Sequence, residues 1–221
     1  MLMRIVLASS SPRRRELLAR AGIRFSVQEP PDEAPIPPGV CADLAVQLIA
    51  RQKAVAIAAT APPGSFVLAA DTIVVGPRGP LGKPKTAERA REMLCDLRGR
   101  RHTVLTGVCA INTANGSREA LGVSRSAVKM HQFSDNDLDT YIASGEPLDR
   151  AGAYAIQGGG GDLVEAVAGR VDTVIGLDVP LALRLLREAG YPDPLPKASD
   201  VSLAPPRPRR PLTPMRAPSR V

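Results

Sequence analysis

An α/β fold with a mixed β-sheet and flanking helices is predicted by three observations. Short apolar, β-branched runs alternate with segments of helical period, the pattern of strands joined by helices. Two longer strand-like stretches, Thr103 to Ile111 and Ser124 to Met130, flank Asn115-Gly116 and read as a long hairpin, which makes the sheet mixed rather than purely parallel. The 221 residues are 44% apolar, enough to fill the core of one sizeable domain or of two small lobes.

The elements follow in order. Ile5-Val6-Leu7 reads as a buried strand. Ser9-Ser10-Ser11-Pro12 then opens a helix, with Ser11 at the N-cap, Pro12 in the first helical position and Gly22 as the stop. Arg13, Arg14 and Arg15 crowd its first turn, where the backbone dipole is already positive and Asp or Glu is the usual occupant. An anion there would offset the repulsion, and phosphate is the natural candidate; a solvated basic helix start is the plainer alternative. Phe25-Ser26-Val27 reads as a short strand, followed by a Pro-rich loop, 29–39, that carries Asp32 and Glu33. Residues 41–60 read as a helix with Leu44, Leu48 and Val55 on one face and Arg51 and Lys53 elsewhere.

Phe66 to Val75 is a buried strand interrupted by a single carboxylate, Asp71. Thr86 to Leu97 has Ala87, Ala90, Met93, Leu94 and Leu97 at helical spacing. Past the hairpin, Ser134 to Leu138 reads as a capped helix start that runs through Tyr141 and Ile142 and stops at Gly145-Glu146-Pro147. A glycine-rich segment, 151–161, precedes a strand-like Leu163 to Val167, and Val179 to Ala189 reads as a last amphipathic helix. From Tyr191 onward prolines recur among arginines, the composition of an unpacked chain. The expected organisation is one domain over 1–191 and a disordered tail over 192–221.

Composition excludes several classes. Aromatic residues make up 3% and Trp is absent, so the stacking platforms of single-strand and RNA binders are hard to assemble. The net charge of +7 is largely a tail property, because the tail sets six cations against two acids and leaves +3 for the rest. Cys41, Cys95 and Cys109 are odd in number and form no C-x-x-C motif, which argues against a disulfide framework or a zinc site and for a reducing cytoplasm. No apolar stretch approaches the roughly 18 residues of a membrane span, and no leader pattern opens the chain, so a cytoplasmic protein without a membrane partner is expected.

Asp71 stands between Leu68-Ala69-Ala70 and Thr72-Ile73-Val74-Val75, where an ionised carboxylate is expensive unless it meets a cation, a metal or good donors. A structural carboxylate near a strand end is the alternative reading. Lys83, in Leu81-Gly82-Lys83-Pro84, lies close enough in sequence to return over that strand. Gly158 to Gly161 lacks the P-loop pattern and reads as a flexible or tightly turned linker; His102 and His131 stand apart from any nucleophile motif. The arginine-rich helix start, the acids Glu33 and Asp71, and Lys53 with Lys83 together suit a polyphosphate carried with a divalent cation: carboxylate oxygens hold Mg²⁺ or Mn²⁺, and the cations neutralise the remaining charge.

Taken in order, these segments resemble the Maf family of nucleoside triphosphate pyrophosphatases, also known as septum formation inhibitor proteins. The resemblance runs through Leu7 to Leu18, Asp32-Glu33, Leu44-Ala45 with Lys53-Ala54, Ala70 to Val74, Leu81 to Pro84, Leu97 to Val108 and Gly145 to Gly158, over nearly all of residues 4–189. It implies a two-lobed fold around a central nucleotide-binding groove, and hydrolysis of dTTP or UTP, or of modified pyrimidine triphosphates, to the monophosphate and pyrophosphate. Such an activity would remove non-standard nucleotides. It further implies that Asp71 is the general base, that Glu33 and Asp71 hold the metal, and that Arg13, Arg14, Lys53 and Lys83 bind phosphate. Ser9 and Ser11 fall in the same binding motif. Thr72 and Gln157 match the pyrimidine branch and differ from the branch acting on 7-methyl-GTP, so Arg13, Thr72 and Gln157 are the implied specificity positions. A homodimer is implied as well.

Two positions depart from the family pattern: Arg150 stands where Lys is usual, and Gly176-Leu177-Asp178-Val179-Pro180 replaces Gly-Leu-Pro. The tail beyond Tyr191 matches no family segment. A second hypothesis is a nucleotide-binding regulator of cell division and septum formation, acting through a protein partner. A third is non-specific binding of anions such as nucleic acid by the basic tail, without a specific nucleic-acid site.

Overall fold

The computed structural model describes residues 4–32, 34–37, 39–114, 118–192 and 194–196. Its strands are β1 (Ile5–Ala8), β2 (Phe25–Gln28), β3 (Phe66–Gly76), β4 (Gly79–Leu81), β5 (Arg101–Asn112), β6 (Glu119–Met130) and β7 (Val164–Ala168). Its helices are α1 (Pro12–Arg20), α2 (Ala42–Ala58), α3 (Ala87–Leu97), α4 (Asp135–Ala143), α5 (Val171–Ile175) and α6 (Val179–Glu188), with three 3₁₀ turns between α4 and β7. The strands form one seven-stranded sheet in the order β2-β1-β3-β5-β6-β7, with β4 attached to β3. β1 runs parallel to both β2 and β3, whereas β4 on β3 and β7 on β6 are antiparallel, so the sheet is mixed as expected. The six residues between β5 and its sheet neighbour β6 are too few for a parallel crossover, which makes this pair a hairpin. The Asn115-Gly116 apex expected there lies outside the described residues.

Local chemistry explains the boundaries. Gly22 stops α1 at φ +73°, and the amides of Gly22 and Ile23 donate to the carbonyls of Ala19 and Leu18, the double bond of a Schellman ending. Thr86 caps α3, and Ser134 with Asp137 closes a reciprocal capping box on α4. The expectation for α2 needs correction: Leu44 and Val55 are exposed, and the buried face is Ala45, Val46, Ala50, Lys53, Ala54 and Ile57. Small side chains let this helix lie against the sheet. A Cβ at Gly107 on β5 would stand 2.4 Å from the Val46 carbonyl oxygen, so backbone meets backbone and large residues are turned away.

The chain forms two compact units. Among the described residues the first comprises those up to Thr72, Leu105–Arg125, and those from Arg170; the second comprises Ile73–Val104 and Ser126–Gly169. The core of the first gathers Val6, Ala8, Val67, Ala69, Cys109 and Ile111 from the sheet against Ala50, Ala54 and Ile57 of α2. In the second, α3 packs on α4, and the buried side chains include Leu94, Leu97, Phe133, Leu138 and Leu163. Among the described residues no helix is long and apolar enough to cross a membrane. The expected disorder of the tail concerns residues 192–221, of which 193 and 197–221 lie outside the described residues.

Candidate active site

Parallel register brings the ends of β1 and β3 together. Ala8 pairs with Ala69, so Asp71 and Thr72 lie in β3 level with the Ser9–Ser11 turn that follows the carboxyl end of β1, the side on which open α/β sheets take their ligands. Asp71 remains within β3, and its Oδ1 accepts a 2.6 Å hydrogen bond from Lys53 Nζ. Both side chains are largely withdrawn from solvent, at 10% exposure for Lys53 and 19% for Asp71. The cation that a carboxylate at this place requires therefore comes from the buried face of α2.

The arginine cluster divides by role. Arg14 turns inward: Nε donates to the Gly176 carbonyl at 2.7 Å, Nη1 to Ser9 Oγ at 3.4 Å and Nη2 to Thr72 Oγ1 at 3.3 Å. Arg13 is half-buried and makes no hydrogen bond or ion pair among the described residues, and Arg15 is exposed. Ser11 occupies the N-cap position of α1, yet its side chain makes no capping bond. Buried Ser9 organises the turn instead, its Oγ accepting the Ser11 amide at 3.1 Å. Thus Ser9, Arg14 and Thr72 meet, while the preceding residue Asp71 turns to the α2 side of β3, where Lys53 holds it. Glu33 lies outside the described residues.

Thr72 leads into a buried hydrogen-bond network that sequence reasoning missed. Its Oγ1 lies 3.0 Å from Thr106 Oγ1, and Thr106 donates to the Thr173 carbonyl at 2.7 Å. Asp172, fully buried, accepts the amides of Thr173 and Val179 and is clasped by the guanidinium of Arg170 at 2.8 and 2.9 Å. Asp178 explains the departure at that turn. It caps α6 by accepting the Leu181 amide on Oδ1, while Oδ2 accepts the hydroxyls of Ser124 and Thr173. The added acid is thus a structural cap. The spacing Asp178-Val179-Pro180, a capping residue before a proline in the first turn, could have revealed it. Nothing in the sequence marks Thr106 or Thr173, because Thr106 meets Thr72 and Thr173 at 34 and 67 positions and Thr173 meets Ser124 at 49.

In the second unit, β4 runs antiparallel along β3 with Leu81 opposite Val74, and Lys83 follows in the loop beyond it. Lys83 pairs with Asp149 at 2.6 Å, both exposed. The neighbouring Arg150 is half-buried, and its Nε is buried without a partner. Gln157 is half-buried in a turn and makes no hydrogen bond among the described residues, which leaves its amide available. The run after it is the tightly turned alternative of the two expected for it. His102, buried, shares a 2.7 Å hydrogen bond with Tyr154, and burial lowers its pKa to about 4. Burial pushes the Cys109 thiol up to about 12, far from reactive.

Among the described residues no three His, Cys, Asp or Glu side chains gather as a metal-binding group. The donor set at β3 fits a different mode. One carboxylate, engaged by Lys53 on Oδ1 alone, can supply one hard oxygen, which suits Mg²⁺ held by one or two carboxylates with substrate phosphates completing its shell.

A family model described as Maf-like protein matches residues 4–189. A dTTP/UTP pyrophosphatase of Anaeromyxobacter dehalogenans (strain 2CP-C) is 47% identical over 196 residues, covering 86% of this chain and 96% of the relative. The dTTP/UTP pyrophosphatase of Myxococcus xanthus (strain DK1622) is 47% identical over 191 residues, covering 86% and 94%. That of Thermomicrobium roseum (strain ATCC 27502 / DSM 5159 / P-2) is 43% identical over 219 residues, covering 99% and 98%. This last alignment takes in the C-terminal tail, so the tail has a counterpart in one relative, contrary to the expectation from motifs.

Proposed function

The chain belongs to the Maf-like protein family, and from that membership we propose that it hydrolyses dTTP and UTP to the monophosphate and pyrophosphate, with modified pyrimidine triphosphates as further substrates. The observation that carries the reading is the Lys53–Asp71 pair, set in β3 just past the end of its parallel neighbour β1, which leads into the arginine-rich helix start. A site that only bound anions would need cations and would gain nothing from a withdrawn carboxylate. The reading as a septum regulator acting through a protein partner is therefore not favoured.

In this proposal the oxygen of a water molecule bonds to the α-phosphorus. The bridging bond to the β-phosphate breaks, and pyrophosphate leaves with the electron pair. Asp71 orients the water and takes its proton, while Lys53 holds Oδ1 and so fixes the plane of the carboxylate. Arg13 meets phosphate directly. Arg14, already bonded to Ser9, Thr72 and Gly176, holds the phosphate-binding turn against β3 and adds positive potential. Ser11 is assigned to the same turn. Lys83 is assigned to the leaving pyrophosphate, and Thr72 and Gln157 to the base; an amide that donates and accepts suits the O4 and N3–H edge of uracil or thymine. Mg²⁺ or Mn²⁺, held by Asp71 with Glu33, would supply charge neutralisation and a more acidic water. A homodimer in the cytoplasm, with a tail that binds anions without specificity, completes the proposal.

A nucleotide panel tests it directly. Release of monophosphate with pyrophosphate, fastest for dTTP and UTP, is expected; diphosphate with orthophosphate, or no turnover with any nucleotide, overturns it.

A further inference from the structure

The glycine run after Gln157 carries information that the catalytic assignment does not use. Ala155 and Gly159 lie two residues before and two residues after Gln157. Each backbone amide is held by a side chain of the preceding segment: Tyr141 Oη accepts the Ala155 N–H at 3.1 Å, and Glu146 Oε2 accepts the Gly159 N–H at 2.9 Å. Between them, the Gly158 amide donates to the Ala155 carbonyl at 3.2 Å and closes the turn on which Gln157 sits. The glycines are the space these two side chains need. A Cβ at Gly158 would fall 1.9 Å from Glu146 Oε1, and one at Gly160 would fall 2.6 Å from Tyr141 Oη. The brace is itself anchored. Tyr141 is buried in α4, and Glu146, the first residue of a 3₁₀ turn (Glu146–Asp149), donates its own amide to Ser144 Oγ.

We propose that Tyr141 and Glu146 are positioning residues for Gln157, clamping the backbone on both sides of it and so determining which base its amide reads. The inference rests on the assignment of Gln157 to the base. A side-chain amide discriminates only if its donor and acceptor are held in register with the base edge, and a glycine-rich turn has no stiffness of its own. The carboxylate supplies a charge-assisted bond to one amide, and the buried phenol, kept neutral by burial, supplies an acceptor to the other.

The test compares kcat/KM for dTTP and dGTP, together with amide hydrogen exchange at Gly159, in the full chain carrying Glu146→Ala, Glu146→Gln, Tyr141→Phe or Gln157→Ala. Glu146→Ala is expected to lower the dTTP/dGTP ratio about tenfold, chiefly through KM, the scale of one hydrogen bond to a charged group. Exchange at Gly159 should accelerate in parallel. Glu146→Gln keeps an acceptor oxygen and should recover part of both effects, which a purely structural loss would not do. If Glu146→Ala fails to fold, Glu146→Gln and Tyr141→Phe decide by the same two readings. A ratio that collapses in Gln157→Ala but stays at the wild-type value in the Glu146 and Tyr141 variants overturns the proposal. A ratio unchanged in Gln157→Ala overturns the base assignment, and the Gly159 exchange rates then report separately whether the clamp exists.

Discussion

The two units handle buried polarity in opposite ways. Among the described residues, the first withdraws acids from water: Asp71 with Lys53, and Asp172 and Asp178 against the partly exposed Arg170. The second buries the neutral His102–Tyr154 pair and Tyr141, and its pairs Arg78–Asp96, Lys83–Asp149, Arg89–Glu92, Arg91–Asp139 and Arg98–Asp135 each have at least one exposed member. The contrast is sharpest between two lysine–aspartate pairs of the same 2.6 Å length: Lys53–Asp71 is 10% and 19% exposed, Lys83–Asp149 is 58% and 78%. Equal distance does not mean equal strength. Water screens the exposed pair, so separating Lys83 from Asp149 costs little, whereas breaking the withdrawn pair strands a charge.

The largest expected effect strikes the withdrawn pair. Asp71→Asn should lower turnover by at least about a hundredfold, the lower end of what a positioned acid–base group contributes. Pyrophosphate release near the wild-type rate would remove Asp71 from the chemistry and reduce the buried pair to a structural device.

Next comes the neutral pair of the second unit. Burial holds native His102 at about 4 against an ordinary value of 6.5, so across that interval the unfolded chain binds more protons than the native one. The contribution is complete above pH 6.5 and fades as pH falls towards 4, by an amount on the order of 3 kcal/mol. Urea melts at pH 7 and pH 4.5 should show a larger acid loss in the wild type than in His102→Gln. Equal losses would mean that the imidazole is not the buried neutral group described here.

Asp178→Ala should destabilise by about 2 kcal/mol, combining a lost helix cap with the loss of the acceptor shared by the half-buried Ser124 and buried Thr173 hydroxyls. Denaturant midpoints measure this directly; a neutral substitution would show that the network tolerates water. The smallest effect belongs to the exposed pair. Asp149→Ala should change stability by less than about 1 kcal/mol and should lower the KM for triphosphate slightly by freeing Lys83. A stability loss as large as that of Asp178→Ala would erase the difference between the units.

Much of the fold was legible because it depends on local chemistry. Ser134 with Asp137, Thr86, Pro12 and Gly22 marked helix ends through bonds made within a few residues, and Phe66 to Val75 was apolar enough to be read as a buried strand around its one acid. The face of α2 was misread because hydrophobicity alone favours Leu44 and Val55 for burial. The close approach of the helix to Gly107 selects small residues instead. The short strand β4 and helix α5 carried too few residues for a periodic signal.

The sequence alone determined the α/β class, the hairpin, most element ends and the set of acids and cations suited to a triphosphate, because these follow from period, capping and side-chain charge. Tertiary structure alone decided which members of that set pair. It joined Lys53 to Asp71, turned Arg14 onto Thr72 and Gly176, left Arg13 without a partner among the described residues, and made Asp178 a cap. The reason is physical: a charge's partner depends on which chain segments meet in space and on how much water remains between them, and neither is written in the spacing of residues along the chain.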